Sequence, residues 1–179
     1  MTFLVVYGTT EGQTRRIADS IATRIREHGA EAETFDSTGL PADLDLGRYD
    51  AVIVAASVHQ HRHQASVMHF VNENLARLQA KPTAFVSVSL AVAMAGEEGE
   101  REARSYVDRF LADTGWRPTE VHLAAGALLY TAYDFFKRQV MKLIVWKSGG
   151  PTETDQDYEF TDWAELSRFV DAFVEKVGA

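Results

Sequence analysis

The chain contains no cysteine. That excludes disulfides, thiolate metal sites and cysteine nucleophiles, so any redox chemistry needs a bound cofactor. Long apolar runs are missing too: none approaches the ~18 residues of a membrane span. Met1-Thr2-Phe3 leads straight into a strand, with nothing resembling a signal peptide. A cytoplasmic protein is expected. The basic excess of a nucleic-acid binder is absent, since the formal net charge is −8. There is no internal repeat, low-complexity segment or linker. What the 179 residues do have is 46% hydrophobic content, enough for a sizeable core. Residues 1–179 are read as one domain.

The densest information lies in the first fourteen residues. Phe3-Leu4-Val5-Val6-Tyr7 is an apolar run, Gly8-Thr9-Thr10-Glu11-Gly12-Gln13-Thr14 follows, and then Ile17, Ala18, Ile21, Ala22 and Ile25 recur at helical spacing. That is strand, hydroxyl-rich turn, helix. A turn at a helix N-terminus offers free backbone N–H groups and the positive end of the helix dipole, which suits a phosphate. No Lys or Arg lies between Thr2 and Thr14, so neutral donors would hold the anion. A Walker A loop needs Gly-Lys-Ser/Thr, and a Rossmann turn needs Gly-x-Gly-x-x-Gly; neither is present. Two alternatives remain open: a phosphate loop, or an ordinary strand–helix turn with a Thr cap.

Apolar and helical patterns alternate along the rest of the chain. Short strands are expected at Ala32–Phe35, Ala51–Ala56, Thr83–Leu90 and Val121–Leu129. Helices are expected from about Gln64 to Leu78, around Ala103–Leu111, and after a cap at Thr161 or Asp162. Gly29 closes the first helix. Repeated strand–helix units imply a doubly wound, five-stranded parallel sheet of order 2-1-3-4-5, with the ligand crevice at the carboxyl ends of strands one and three. The loops Ser57–His63 and Ser89–Gly96 then flank that crevice. His59, His61 and His63 would project to one side of an extended segment. Either they bind a metal or they border the crevice. No carboxylate or cysteine lies nearby to complete a first shell, so no metal site is assigned. His122 reads as a core residue, and Glu97–Glu102 as a solvated helix start.

About thirty residues, 130–160, separate strand five from the last helix and form an insertion. Within it Phe135–Lys147 reads as a helix with Phe136, Leu143 and Trp146 on its apolar half and Lys137, Arg138 and Lys142 on the other. It has no acidic residue. Such a helix either lies on an anionic membrane surface or packs its apolar half on the domain.

The turn Thr9-Thr10-Glu11-Gly12-Gln13-Thr14 resembles the flavodoxin phosphate loop, which holds the phosphate of FMN. Lys142-Leu143-Ile144, Lys147-Ser148-Gly149-Gly150, Tyr158 and Thr161-Asp162-Trp163 extend the likeness into the insertion, which ordinary flavodoxins lack. Gly12-Gln13-Thr14, Ala56-Ser57-Val58, Phe85–Val88, Gly115–Pro118 and Ala125–Leu128 add to it. Over essentially its whole length the chain is similar to the menaquinone-dependent protoporphyrinogen oxidase family. That resemblance implies a flavodoxin-like fold with a helical insertion after strand five. It implies FMN as cofactor, protoporphyrinogen IX as substrate in haem biosynthesis, and a membrane quinone as acceptor. It also implies Thr9, Thr10, Glu11, Gly12, Gln13 and Thr14 around the phosphate. Ser57, Val58 and His59 would line one side of the ring and Ser89, Leu90 and Ala91 the other, with Tyr130 stacking. Flavin N5 carries the chemistry, and His59 is the first candidate for a catalytic acid or base. Phe135–Lys147 would make peripheral contact with the inner face of the membrane. The rival readings are an electron-carrier flavodoxin, a general FMN quinone reductase, and a flavin-free interaction domain.

Overall fold

Successive side chains of the first strand feed two different cores. In the computed structural model, β1 (Thr2–Gly8) sends Phe3, Val5 and Tyr7 into one layer and Leu4 and Val6 into the other. A strand buried on both faces has no polar side, which is why Phe3–Tyr7 is continuously apolar. The structure describes residues 1–93, 97–128 and 158–179.

β2 (Glu31–Asp36), β3 (Ala51–His59), β5 (Thr83–Ser89) and β6 (Glu120–Ala125) complete a parallel sheet ordered β2-β1-β3-β5-β6. The long strands thus run 2-1-3-4-5, as expected. A two-residue strand, β4 (Arg62–His63), pairs antiparallel with the end of β3. On one face, α1 (Gln13–Glu27) and α5 (Trp163–Gly178) bury Ile17, Ile21, Ile25, Val170 and Phe173. On the other, α2 (Ala65–Glu73), α3 (Leu75–Gln79) and α4 (Glu97–Thr114) bury Val67, Phe70, Leu78 and Phe110 around Phe85 and Trp116. Each fully buried side chain of this size contributes about 1.5–3 kcal/mol.

Local details refine the expected boundaries. α1 ends at Gly29, whose φ is +76°, as expected. The helix expected over Gln64–Leu78 is divided at Asn74, whose Nδ2 donates to Phe70 O at 2.9 Å; the side chain draws on a helix carbonyl. Strand five leaves the sheet at Ala125 rather than Leu129. Gly126 N donates to Ser89 O, and the next two residues, β7 (Ala127–Leu128), pair instead with β8 (Tyr158–Glu159). Asp162, not Thr161, caps α5, accepting from Glu165 N at 2.8 Å. Glu97, Glu98 and Glu100 form the first turn of α4. His122 is buried in β6 and stacks on Phe169, with ring centroids 4.7 Å apart. Among the described residues no helix is long and apolar enough to cross a membrane. Tyr130 and the expected helix Phe135–Lys147 lie outside the described residues.

Candidate functional site at the carboxyl ends of the strands

The turn between β1 and α1 is folded by its own first hydroxyl. Thr9 Oγ1 accepts from Gly12 N at 2.8 Å. Gly12 is the N-cap of α1 with φ +91°, and nothing lies within 4 Å of a Cβ built there. The positive φ, not lack of room in the protein, therefore demands glycine. No side chain caps α1. The first turn of the helix keeps its N–H groups for something else, and the Thr-capped alternative is not what forms. Thr14, one residue into the helix, is fully buried, and its Oγ1 has no partner among the described residues. An unpaired buried hydroxyl costs about 1–3 kcal/mol, so its retention calls for a reason. Across the crevice, Ser89 Oγ is also buried and without a partner among the described residues.

These groups line one open cleft at the carboxyl ends of the strands. Its walls are Thr9, Thr10 and Glu11 from the turn, Gln13 and Thr14 from the start of α1, Ser57, Val58 and His59 from β3, and Ser89 and Leu90 at the end of β5. Gly12 is the hinge of the turn itself. Ala91 is not in the wall. It is buried in the short helical turn Leu90–Ala93, against Ala103 and Tyr106 of α4. The expectation that Ala91 faces the ligand is thus corrected: the helical turn directs it into the core. Gln13 lines the cleft, but its side-chain amide is committed elsewhere. Nε2 donates to Glu159 Oε1 at 3.0 Å and to Thr161 Oγ1 at 2.9 Å. Only its backbone N–H remains for an anion.

Three further residues belong to the site and were not singled out from sequence. Val88 and Gly126 complete the wall. Gly126 sits just beyond β6, on the carboxyl-end side that the topology predicts for ligands, so its place was inferable. Gln64 Nε2 donates to Thr10 Oγ1 at 3.2 Å and also to Ser57 Oγ, tying the two walls together. Nothing local in the sequence signals that span.

The three histidines do not share a side. Gln60 and His61 both have positive φ, 48° and 64°, and make a tight two-residue turn between β3 and β4. The chain reverses, so the extended segment assumed above does not exist. His59 stays in the cleft wall. His61 Nδ1 shares a 2.9 Å hydrogen bond with Tyr106 OH. His63 is buried between Phe85 and Phe110, with Nε2 at 2.9 Å from Ser87 Oγ. Burial pushes its imidazole down to about 4. Among the described residues no group of three His, Cys, Asp or Glu is placed to hold a metal. Beside His59, burial raises the Glu11 carboxyl above its ordinary value, and the His59 charge opposes that rise.

The fold and cleft define a class, the flavodoxin-like flavoproteins. Residues 4–155 match the family model described as "Flavodoxin domain". Solved flavodoxins superpose along the chain. One from the domain Archaea does so with a TM-score of 0.58 at 18% identity, covering 100% of both chains. Another, from Streptococcus pneumonia, gives 0.59 at 20%, covering 98% of this chain and 99% of that one. Curated relatives are more specific. A protein named protoporphyrinogen IX dehydrogenase [quinone] from Escherichia coli is 34% identical over 169 residues, 94% of this chain and 92% of that protein. One of the same name from Leishmania major is 32% identical over 171 residues, 95% of this chain and 73% of that protein. The chain belongs to the protoporphyrinogen IX dehydrogenase [quinone] family, a group of oxidoreductases built on the flavodoxin domain.

Proposed function

We propose that this chain binds FMN, oxidises protoporphyrinogen IX to protoporphyrin IX and passes the electrons to a quinone. The observation that carries the cofactor assignment is Thr14. Its hydroxyl is buried, and without a partner among the described residues, at an uncapped helix start that lines the cleft. A phosphate would satisfy that hydroxyl, the first-turn N–H groups and the helix dipole together. Neutral donors suit a site in which no Lys or Arg lines the described wall. The family names support the reaction.

In this reading the Thr9–Thr14 turn holds the phosphate, and Ser57, Val58, His59, Ser89 and Leu90 flank the ring. When bound, the flavin supplies the two-electron acceptor at N5. Each round takes an electron pair and the matching protons from the porphyrinogen and delivers them to the quinone, which leaves as quinol. Gln64 keeps the walls at a fixed separation through Thr10 and Ser57. His59, in the wall, is the residue assigned to hold or move a proton. A quinone dissolved in a bilayer must be met at the membrane surface. The chain's acidic total opposes adsorption, so the cationic, apolar-faced stretch Phe135–Lys147 is assigned that contact on its sequence.

The test begins with an absorption spectrum of protein incubated with FMN. Anaerobic protoporphyrinogen IX and a menaquinone analogue are then added, and porphyrin fluorescence should appear in proportion to enzyme. Flavin reduction by NADPH without a response to porphyrinogen would instead mark a general quinone reductase. Bound flavin with no turnover of either would mark an electron carrier. Absence of flavin binding would leave an interaction domain.

A further inference from the structure

A closed ring of hydrogen bonds joins the start of α1 to the chain just before α5. Gln13 Nε2 donates to Glu159 Oε1 at 3.0 Å, Arg16 Nη1 donates to Glu159 Oε2 at 3.1 Å, and the same Arg16 nitrogen donates to Gln13 Oε1 at 3.2 Å. The second Gln13 Nε2 proton goes to Thr161 Oγ1 at 2.9 Å, and Thr161 Oγ1 donates to Ala125 O at 2.8 Å. Gln13 is 91% buried by this arrangement, with every polar atom of its amide engaged. The amide orientation is dictated by its neighbours, since only Nε2 can face the carboxylate and only Oε1 the guanidinium. Phe160 N donates to Gly126 O at 3.2 Å, so the segment 159–161 is tied to the end of β6 as well. Arg16 also lies over the Trp163 ring, 5.8 Å from its centroid.

Glu159 is an unexpected residue to find here. A carboxylate one side chain away from an anion site weakens it by repulsion. It also costs conformational entropy to hold. Arg16 offsets the charge, but both groups could be dispensed with if the ring had no task. Gln13 is adjacent both to the Gly12 hinge and to Thr14. Fixing its side chain fixes the direction of the backbone N–H groups at the helix start.

We propose that Glu159 is a positioning residue for the phosphate turn: acting through Gln13 and Arg16, it holds the first N–H groups of α1 in the phosphate-binding direction. It thereby couples occupancy of that turn to the order of segment 159–161. Coupling of this kind is reciprocal, so phosphate binding firms the segment as much as the segment firms the turn. The inference rests on the FMN assignment above, and the experiment separates the two.

FMN and riboflavin affinities are measured for wild type, Glu159→Gln and Glu159→Ala. Both variants remove the charge that Arg16 pairs with, but only alanine removes the acceptor for Gln13. Glu159→Gln keeps an acceptor for Gln13 and should bind FMN as well as wild type or better. Glu159→Ala should bind FMN about fivefold more weakly than Glu159→Gln, the scale of the one neutral hydrogen bond to Gln13 that glutamine keeps and alanine loses. Riboflavin, which has no phosphate, should bind all three within about twofold, below the scale of one such bond. Amide hydrogen exchange at Phe160 should slow on adding FMN in wild type and Glu159→Gln, and not in Glu159→Ala. Equal FMN affinity of the two variants, or parallel loss of FMN and riboflavin binding, overturns the positioning role. A wild type that binds no FMN overturns the cofactor assignment itself.

Discussion

Thr14→Val changes the empty protein and the ligand complex in opposite directions. The substitution keeps the branched shape of a fully buried side chain and removes only its hydroxyl. Without ligand that hydroxyl has no partner among the described residues, so wild type bears an unpaired-group penalty of about 1–3 kcal/mol. Valine relieves it. The apoprotein should gain about 1 kcal/mol or more, which for a chain of this length raises Tm by about 2–4 °C. With FMN bound, the same hydroxyl would donate to a charged phosphate oxygen, a bond worth about 1.5–3 kcal/mol. Its loss should weaken FMN binding about 10- to 150-fold. Thr14→Ser keeps the donor and should stay within a few-fold of wild type. Thermal melts of stripped protein and fluorescence titrations with FMN measure the two effects independently. Unchanged FMN affinity in Thr14→Val would refute the phosphate role. A destabilised apoprotein would show that the hydroxyl has a structural partner after all.

Two further outcomes follow from other residues. His63 titrates near 4 in the fold because burial disfavours its charged form, and near 6.5 when unfolded, so between those values the unfolded chain holds the extra proton. Stability is therefore complete above about pH 6.5 and falls on acidification, by roughly 2 kcal/mol between pH 7 and 5; buried His122 is shifted in the same direction. Urea midpoints over that range should drop less steeply in His63→Leu, and an unchanged slope would count against the assignment. For the membrane contact, exchanging Lys137, Arg138 and Lys142 for Glu should abolish sedimentation with anionic liposomes at low salt while FMN stays bound, at about 1 kcal/mol per cation. Loss of flavin along with vesicle binding would place Phe135–Lys147 in the cofactor site instead.

What was legible in the sequence was carried by short-range pattern. The apolar run of β1, the 3.6-residue spacing of Ile17, Ile21 and Ile25, and the glycine at position 29 each reflect a local requirement, and the strand order followed from repeated crossovers. The β1–α1 turn stood out because its glycine and hydroxyls are contiguous. What escaped was tertiary. The reversal at Gln60 and His61 uses residues that are not usual in a positive-φ turn, so no Asn-Gly signal announced it. That single turn sent His63 into the core and His61 to Tyr106. Ala91 was placed on the ligand side by its nearness to Ser89, whereas a short helical turn rotates it away. Gln13 was read as a phosphate ligand, and its side chain answers instead to Glu159 and Thr161, nearly 150 positions further along the chain.

The pairing of Ala127–Leu128 with Tyr158–Glu159 has a consequence for how such a protein acquires new parts. Antiparallel neighbours bring the outgoing and returning chains within about 4.5–5.5 Å of each other. Whatever lies between them, residues 129–157, closes a loop whose ends are already together. Doubling or halving such a loop changes its closure cost by only about 0.6 kcal/mol. The join therefore works as a grafting point: length and composition beyond it can drift, or be exchanged wholesale, without re-registering a single strand of the parallel sheet.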